Sequence, residues 1–315
     1  MLRPDNLLEI GYGKIVESIS DIQIILKRAT SDKFGPDTSR RKKRVVLLGS
    51  GWGSHALTKI LDSDTIDVTV ISPRSYFIFT PMLASSSVGT VEYRSITEPM
   101  RFSNRRAAYY EAKATDIDAE NKLLKCVTPS GRELQVPYDS LVLSVGMKPS
   151  TFGTPGVLEH CFFLKDVEDA RSLRTGLIER FEAASLPDIN ADEKRRLLSF
   201  VVVGGGPTGV EFSGEFFDFL NQDLGRFYPQ LISYVTTTLI QAAPTILPVF
   251  SEQLRQSALD TLRGYGTAVY LQTRVSKVGE KEIECVRTEP DGSKTDISIP
   301  YGLCVWAAGN APHDF

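Results

Sequence analysis

Two glycine-rich turns, each directly after a run of aliphatic residues, constrain the fold of this chain more than any other feature. The first turn spans 49–54 with the sequence GSGWGS, and the second spans 204–209 with the sequence GGGPTG. A buried strand that enters a helix through such a turn is typical of dinucleotide-binding folds, because the helix N-terminus and bare backbone amides can hold a pyrophosphate. The sequence therefore predicts an α/β fold with two Rossmann-like dinucleotide-binding domains. Two such sites favour a flavin and a nicotinamide nucleotide as the pair of cofactors.

The composition fits a globular protein and excludes several functional classes. The net charge of -3 gives no reason to expect a nucleic-acid partner. No apolar run approaches the ~18 residues that would span a bilayer, so any membrane association is expected to be peripheral. With only three histidines, we expect no histidine-based metal site.

The four cysteines indicate packing rather than redox chemistry. They are Cys126, Cys161, Cys285 and Cys304, and no two have the spacing of a C-x-x-C motif. We therefore interpret them as small apolar core residues. A flavoenzyme that reduces disulfides would need a redox dithiol after the first glycine turn, and the sequence has none there.

The chain divides into a lead-in and two domains. Residues 1–42 contain a segment with helical spacing, 14–29, followed by a basic linker. This lead-in is a candidate targeting segment, although its acidic residues are unusual for one. We expect the first dinucleotide-binding domain over 43–163 and the second over 164–312, with a helix over 164–183 leading across to it.

In the first domain, the residues that end each strand are the candidate ligands of a cofactor. Ser72 and Arg74 follow the second strand, where many such folds carry a carboxylate for the ribose. Thr80 lies in an aromatic loop that either packs into the core or forms a wall beside a flavin. Gly146 ends the strand that begins near 140 and lets the backbone approach a ligand.

In the second domain, the glycine turn is expected to hold the pyrophosphate of the nicotinamide nucleotide. Gln241 ends the next strand, where an acidic residue would favour NADH over NADPH. Residues 221–235 are interpreted as an insertion before that strand. Glu211 and Glu215 share a face of the helix after the turn, and Glu211 is the candidate functional carboxylate. A final strand over 303–306 leads into a turn at Gly309.

Several strings of residues resemble one family closely. They are LGSGWG at 48–53, ISPRSYF at 71–77, FTP at 79–81, VGTV at 88–91, TFGTPGV at 151–157, FLK at 163–165, the segment 201–211, and WAAGN at 306–310. Over 43–311 the chain resembles the type II (alternative, non-proton-pumping) NADH dehydrogenases of mitochondria.

The resemblance implies a flavoprotein peripheral to the inner mitochondrial membrane that passes electrons from NAD(P)H through FAD to ubiquinone. It leaves a homodimer open. Glu211 would act as a catalytic residue near the contact of flavin and nicotinamide. The residues implied for FAD are Gly49, Gly51, Ser54, Ser72, Arg74 and Thr80. Those implied for NADH or NADPH are Gly204, Gly206, Gly209 and Gln241. Further cofactor-binding candidates are Trp52, Gly53, Gly146, Pro207, Thr208 and Gly309.

The sequence departs from the family pattern in two ways. Gln241 stands where the family generally has Glu, which predicts tolerance of NADPH. The family's return to the FAD domain, its quinone site and its C-terminal amphipathic helices have no counterpart here, so we expect an incomplete first domain with weak FAD retention and little quinone turnover. Two alternatives remain open: a ferredoxin-reductase-like enzyme and a non-catalytic NAD(P)H-binding remnant.

Overall fold

The computed structural model describes residues 41–313, which form two compact units. The first unit contains residues 41–77 and 98–145, and the second contains 78–97 and 146–313. The predicted lead-in helix over 14–29 lies outside the described residues. The predicted limits 43–163 and 164–312, as the bounds of two cofactor-binding domains, stay a prediction. By contacts, the segments 78–97 and 146–163 belong with the second unit.

The helices and strands follow the chain in this order. Up to residue 145 they are β1 (Lys43–Leu48), α1 (Trp52–Ile60), β2 (Ile66–Ser72), β3 (Tyr76–Ile78), α2 (Leu83–Val88), β4 (Thr97–Pro99), α3 (Met100–Ser103), β5 (Ala108–Glu111), β6 (Lys113–Asp118), β7 (Leu123–Val127), β8 (Glu133–Pro137) and β9 (Ser140–Leu143). From residue 146 they are β10 (Lys148–Pro149), α4 (Val157–His160), β11 (Cys161–Phe162), α5 (Val167–Ser185), α6 (Ala191–Leu197), β12 (Ser199–Val203), α7 (Pro207–Phe219), α8 (Gly225–Phe227), β13 (Thr236–Ile240), α9 (Glu252–Gly264), β14 (Ala268–Tyr270), β15 (Thr273–Val278), β16 (Glu282–Thr288), β17 (Lys294–Pro300), β18 (Leu303–Trp306) and β19 (Asn310–Ala311). Shorter turns include the 3-10 helices Thr80–Met82, Tyr93–Ile96 and Ile232–Tyr234 and the π-helix Leu220–Leu224.

The first unit is built on a four-stranded parallel sheet in the order β5-β2-β1-β9. Residues 45–48 of strand β1 are all apolar, because both faces of the sheet are covered by other parts of the protein. Val45 and Leu47 join one core cluster, whereas Val46 and Leu48 join the cluster on the other face. The three antiparallel strands β6, β7 and β8 contribute Leu124 and neighbouring residues to the second of these clusters.

Ion pairs and hydrogen bonds to Asp139 hold the start of β1 beside the start of β9. Asp139 accepts a hydrogen bond from the Arg44 backbone N–H at 2.8 Å and from the Arg44 guanidinium at 3.1 Å. Arg41 lies 3.2 Å from the same carboxylate. The hydrogen bonds from Arg44 hold the pKa of Asp139 well below its usual range.

The second unit repeats this architecture. Its parallel sheet has the order β11-β18-β12-β13-β14, and a three-stranded antiparallel sheet of β15, β16 and β17 follows. In both units the strand before the glycine turn, β1 or β12, lies inside the sheet. Strands β2 and β5, or β13 and β14, lie on one side of it, and β9, or β18 followed by β11, lies on the other. This strand order is that of dinucleotide-binding folds, with the ligand crevice where the order reverses. The predicted fold class, two Rossmann-like units, is confirmed.

Two segments of the second unit differ from the expectation. The predicted helix over 164–183 is α5, which begins at Val167 because the Asp166 side chain caps it in a reciprocal arrangement with Asp169. The connection 221–235 consists of short helical turns that continue from α7. Within residues 41–313, no helix combines the length and the apolar character that crossing a membrane requires.

Candidate functional site

The first glycine turn joins β1 to α1 in a conformation that most residues cannot adopt. Gly49 has a φ of +113°, and a Cβ there would lie 2.3 Å from the carbonyl oxygen of Ser144. The Gly49 N–H donates to the Ile71 carbonyl at 2.8 Å. Glycine at 49 thus lets the backbone ends of β1, β2 and β9 meet closely.

Of the next residues in this turn, some pack against the protein and one faces open space. A Cβ on Gly51 would meet no protein atom within 4 Å, whereas one on Gly53 would lie 3.1 Å from the Ser144 Cβ. The Ser54 Oγ is buried 2.5 Å from the Ser144 Oγ. Gly53 and Ser54 therefore pack α1 against the end of β9, and Gly51 leaves room beside the N-terminus of α1 for a ligand. Trp52, about half exposed, meets the Phe77 ring edge-on.

Ser72 and Arg74 lie beside the same turn, joined through a serine that the sequence reasoning missed. The Ser72 hydroxyl donates to the Ser50 Oγ at 3.1 Å, and the Arg74 Nε donates to the Ser50 Oγ at 3.2 Å. The Arg74 Nε also donates to the Tyr76 carbonyl at 3.1 Å. Ser50 occupies the variable position of the fingerprint, where a sequence pattern carries no signal.

Two of the predicted cofactor ligands belong to a different compact unit from the first turn. Thr80, an exposed residue that begins a 3-10 helix, and Gly146, with a φ of +71°, both belong to the second compact unit. Their contact with a cofactor stays a prediction.

The second glycine turn has almost the same backbone geometry as the first. Gly204 has a φ of +116°, and a Cβ there would lie 2.7 Å from the Ala307 carbonyl oxygen of the neighbouring strand end. Gly206 has φ and ψ of -79° and -179°, against -81° and -167° at Gly51, and a Cβ there would also meet nothing within 4 Å. In both turns the first glycine, Gly49 or Gly204, lets two backbone segments approach closely. The glycine two positions later, Gly51 or Gly206, faces open space.

The residues after this turn start α7 and pack it onto the sheet. Pro207 is the first helical residue, where its fixed φ is compatible with the helix and its missing N–H costs nothing. Thr208 follows in the same first turn. A Cβ on Gly209 would lie 2.0 Å from the Gly204 carbonyl oxygen, so only glycine permits this close approach of helix and strand.

Gln241 follows β13 and binds the glycine turn itself. Its amide oxygen accepts a hydrogen bond from the Gly205 N–H at 3.0 Å, and its amide nitrogen donates to the Thr245 carbonyl at 3.1 Å. The predicted selectivity residue therefore lies next to the second turn, at the carboxyl end of neighbouring strands.

The two carboxylates of α7 have different surroundings. Glu215 accepts hydrogen bonds from the hydroxyls of Ser85 at 2.7 Å and Thr90 at 3.1 Å. Glu211 is exposed, yet neighbouring protein atoms desolvate it enough to raise the pKa of its carboxyl, and the charge of Glu215 adds to the rise. The sequence signal for Ser85 and Thr90 was weak, because the helix they touch is far away along the chain.

The turn after β18 is held by side chains from a distant segment. Gly309 has a φ of +72°, and a Cβ there would lie 2.3 Å from the Phe152 ring. Lys165 donates to the Asn310 amide oxygen at 2.8 Å, and burial lowers the pKa of Lys165. The Trp306 indole N–H donates to the Ser150 carbonyl at 2.8 Å.

These features define a class of protein: a chain with two dinucleotide-type turns, each of which leaves a glycine facing open space at the N-terminus of a helix. This chain belongs to the pyridine nucleotide-disulphide oxidoreductase family, whose model matches residues 43–315.

Within that family, the chain is most informatively compared with mitochondrial enzymes. It is 41% identical over 308 residues to the external alternative NAD(P)H-ubiquinone oxidoreductase B3, mitochondrial, of Arabidopsis thaliana, covering 94% of this chain and 52% of that protein. It is 44% identical over 282 residues to the external NADH-ubiquinone oxidoreductase 2, mitochondrial, of Saccharomyces cerevisiae, covering 87% of this chain and 51% of that protein. The chain thus spans about half the length of these relatives.

A solved structure agrees with this comparison. NDH2 from Plasmodium falciparum in complex with NADH superposes with a TM-score of 0.83 at 31% identity, covering 87% of this chain and 56% of that chain. More distant flavoprotein structures, such as the sulfide:quinone oxidoreductase of Aquifex aeolicus at 21% identity and a TM-score of 0.64, share the fold.

Proposed function

We propose that this chain forms the dinucleotide-binding part of an NAD(P)H:ubiquinone oxidoreductase, with FAD at the first glycine turn and NADH or NADPH at the second. The observation that carries the proposal is the matching geometry of the two turns. Gly51 in the first turn and Gly206 in the second face open space beside a helix N-terminus, where backbone amides and the helix dipole favour a pyrophosphate.

The relatives supply the direction of electron flow and the final acceptor. Proteins about 40% identical over most of this chain are named as NAD(P)H-ubiquinone or NADH-ubiquinone oxidoreductases of mitochondria. The bound flavin would supply the two-electron carrier between the nicotinamide and the quinone. We extend the proposal to a mitochondrial location at the surface of the inner membrane. A homodimer is part of the same proposal and is tested by light scattering.

The side chains of the chain would position the cofactors rather than carry covalent chemistry. Ser72 and Arg74 supply a hydroxyl and a guanidinium beside the first turn, and Gln241 supplies an amide beside the second. Glu211, whose carboxyl has a raised pKa, can hold a proton at a higher pH than an ordinary glutamate. Hydride transfer depends above all on how closely the reacting rings are held.

Disulfide reduction, the chemistry after which the family is named, is not favoured. Between residues 41 and 145 the sequence contains one cysteine, Cys126. It lies buried on β7, and burial raises the pKa of its thiol to about 11. A single buried thiol of this kind cannot exchange with a substrate disulfide.

Paired substitutions at the two open glycines test the assignment of cofactors. In the purified chain, Gly51→Val is expected to lower FAD affinity at least tenfold and to leave NADH binding unchanged, because the new side chain fills the ligand space without touching protein atoms. Gly206→Val is expected to do the reverse. FAD binding is followed by its absorbance and NADH binding by titration calorimetry.

A matched control separates the ligand effect from a general effect of valine for glycine. Gly264 also has nothing within 4 Å of its built Cβ, and it lies at the end of α9. Gly264→Val should leave both affinities unchanged. If the two fingerprint variants lost the same cofactor, or lost them in the opposite order, the assignment would be wrong. NADH oxidation by a ubiquinone analogue, measured on the same samples, tests the acceptor separately.

A further inference from the structure

Two cysteines that are far apart in sequence lie directly opposite each other in the parallel sheet of the second unit. Cys161 of β11 and Cys304 of β18 are register partners. Neighbouring strands lie about 4.7–4.9 Å apart, which falls within the 4.4–6.8 Å range of Cα separations in disulfides. Side chains of register partners share one face of the sheet, so these two thiols lie side by side. Both are free thiols in the structure.

One residue of the pair lies beside a cavity. Cys161 is half-buried and lines a cavity of about 390 Å³ together with His160, Arg180 and the acidic residues Glu159 and Glu280. Cys304 is fully buried in the core cluster against which Cys161 packs. A small polar oxidant that enters this cavity would therefore meet Cys161 before Cys304.

We propose that Cys161 and Cys304 form an oxidant-sensitive pair that closes to a disulfide when the chain meets a hydroperoxide. With hydrogen peroxide, the Cys161 sulfur attacks one oxygen, the O–O bond breaks, and the departing hydroxide takes up the Cys161 proton and leaves as water, so Cys161 becomes a sulfenic acid. The Cys304 sulfur then attacks the Cys161 sulfur, the S–O bond breaks, and the Cys304 proton leaves with the hydroxyl as a second water. Two thiols are oxidised by two electrons, and the peroxide is reduced.

The other two cysteines do not compete for this step. Cys126 belongs to the first unit and is buried. Cys285, on β16, belongs to the same core cluster as Cys304, but it is buried and burial raises the pKa of its thiol to about 11. Only the thiolate is a good nucleophile toward peroxide, so neither thiol is the first to be oxidised. The pKa of Cys304, which lies beside Cys161 and is fully buried, is raised as well, so its place opposite Cys161 is what sets it apart from Cys285. Within residues 41–313, no three cysteine, histidine or acidic side chains are placed together to hold a metal ion.

Peptide mapping of the intact chain tests the pair without reference to its enzymatic activity. The reduced chain is treated with hydrogen peroxide, its remaining thiols are alkylated, and the digest is examined by mass spectrometry without reduction. We expect a peptide pair joined through Cys161 and Cys304 that is two hydrogens lighter than the sum of its parts. Cys126 and Cys285 should remain alkylated.

Three single variants sharpen the result. Cys161→Ser should abolish the cross-link, whereas Cys285→Ser should leave it unchanged. Cys304→Ala should also abolish it and let a sulfenic acid accumulate at Cys161, where dimedone traps it. A link from Cys161 to Cys285, over-oxidation of Cys161 in the wild-type chain without a link, or thiols that resist peroxide would each overturn the proposal. None of these readouts depends on the proposed oxidoreductase function.

Discussion

Replacing Gln241 by glutamate tests how the second turn selects its nucleotide. The structure shows the Gln241 amide bridging the Gly205 N–H and the Thr245 carbonyl. A glutamate keeps the first hydrogen bond, because its carboxylate accepts, but it cannot donate to the Thr245 carbonyl. Loss of that one bond is expected to lower the free energy of unfolding by about 1 kcal/mol.

The added charge acts on the cofactor that carries a 2′-phosphate. Two unit charges about 4 Å apart interact by about 1 kcal/mol in water and by about 4 kcal/mol near a protein surface. Gln241→Glu is therefore expected to weaken NADPH binding by about tenfold or more, which corresponds to about 1.4 kcal/mol. NADH binding should change much less. In the wild-type chain we expect the two affinities to lie within about tenfold of each other.

The assay is titration calorimetry with NADH and NADPH on three proteins: the wild-type chain, Gln241→Glu and Gln241→Met. Methionine has a similar size and removes both hydrogen bonds without adding a charge. The ratio of the NADPH and NADH dissociation constants should rise only in the glutamate variant. If the glutamate and methionine variants shift this ratio equally, Gln241 does not face the ribose and the argument fails.

Three further predictions concern the scaffold of the site. Gly209→Ala should unfold the chain or abolish its soluble expression, because the new Cβ meets a backbone oxygen. Gly214→Ala in the same helix should instead raise the free energy of unfolding by about 0.5–1 kcal/mol. Thermal melts distinguish the two variants. Asp139→Asn should lower the Tm at neutral pH, and the difference from the wild-type chain should begin to shrink below about pH 4 but persist for the most part at about pH 3. The depressed pKa of Asp139 gives stability above the unfolded value of about 3.9 that disappears as the pH falls through the folded value. Glu215→Gln should lower the pKa of Glu211, measured by NMR titration, and an unchanged pKa would show that desolvation alone raises it.

Local patterns in the sequence were enough to predict the elements that carry the two turns. Continuous aliphatic runs indicate strands buried on both faces, and glycines at fixed spacing indicate where such strands turn into helices. Strands β1 and β12 and helices α1 and α7 were therefore expected, together with β13 and β18. The three-stranded sheet of β15 to β17 was not predicted, although Asp291-Gly292 between alternating segments is a hairpin signal.

Other features depend on contacts between residues far apart along the chain. Ser144 lies beside Ser54, and Cys161 lies opposite Cys304, but no spacing rule joins positions so distant. Residues 78–97 also join the second unit through contacts with residues far away along the chain. The sequence around a short helix does not indicate which sheet the helix packs on. The neighbours of Thr80 in sequence therefore do not indicate which of the two units it joins.

The packing of α2 has a consequence for synthesis on the ribosome. All six residues of α2 are buried, and the helices on which it packs are α5 and α7, which are synthesised well after it. At the usual elongation rate, α2 remains without the helices that bury it for on the order of ten seconds. A nascent chain halted between residues 100 and 160 should therefore leave Leu83, Ala84 and Val88 of α2 exposed, and one halted well beyond α7 should bury them.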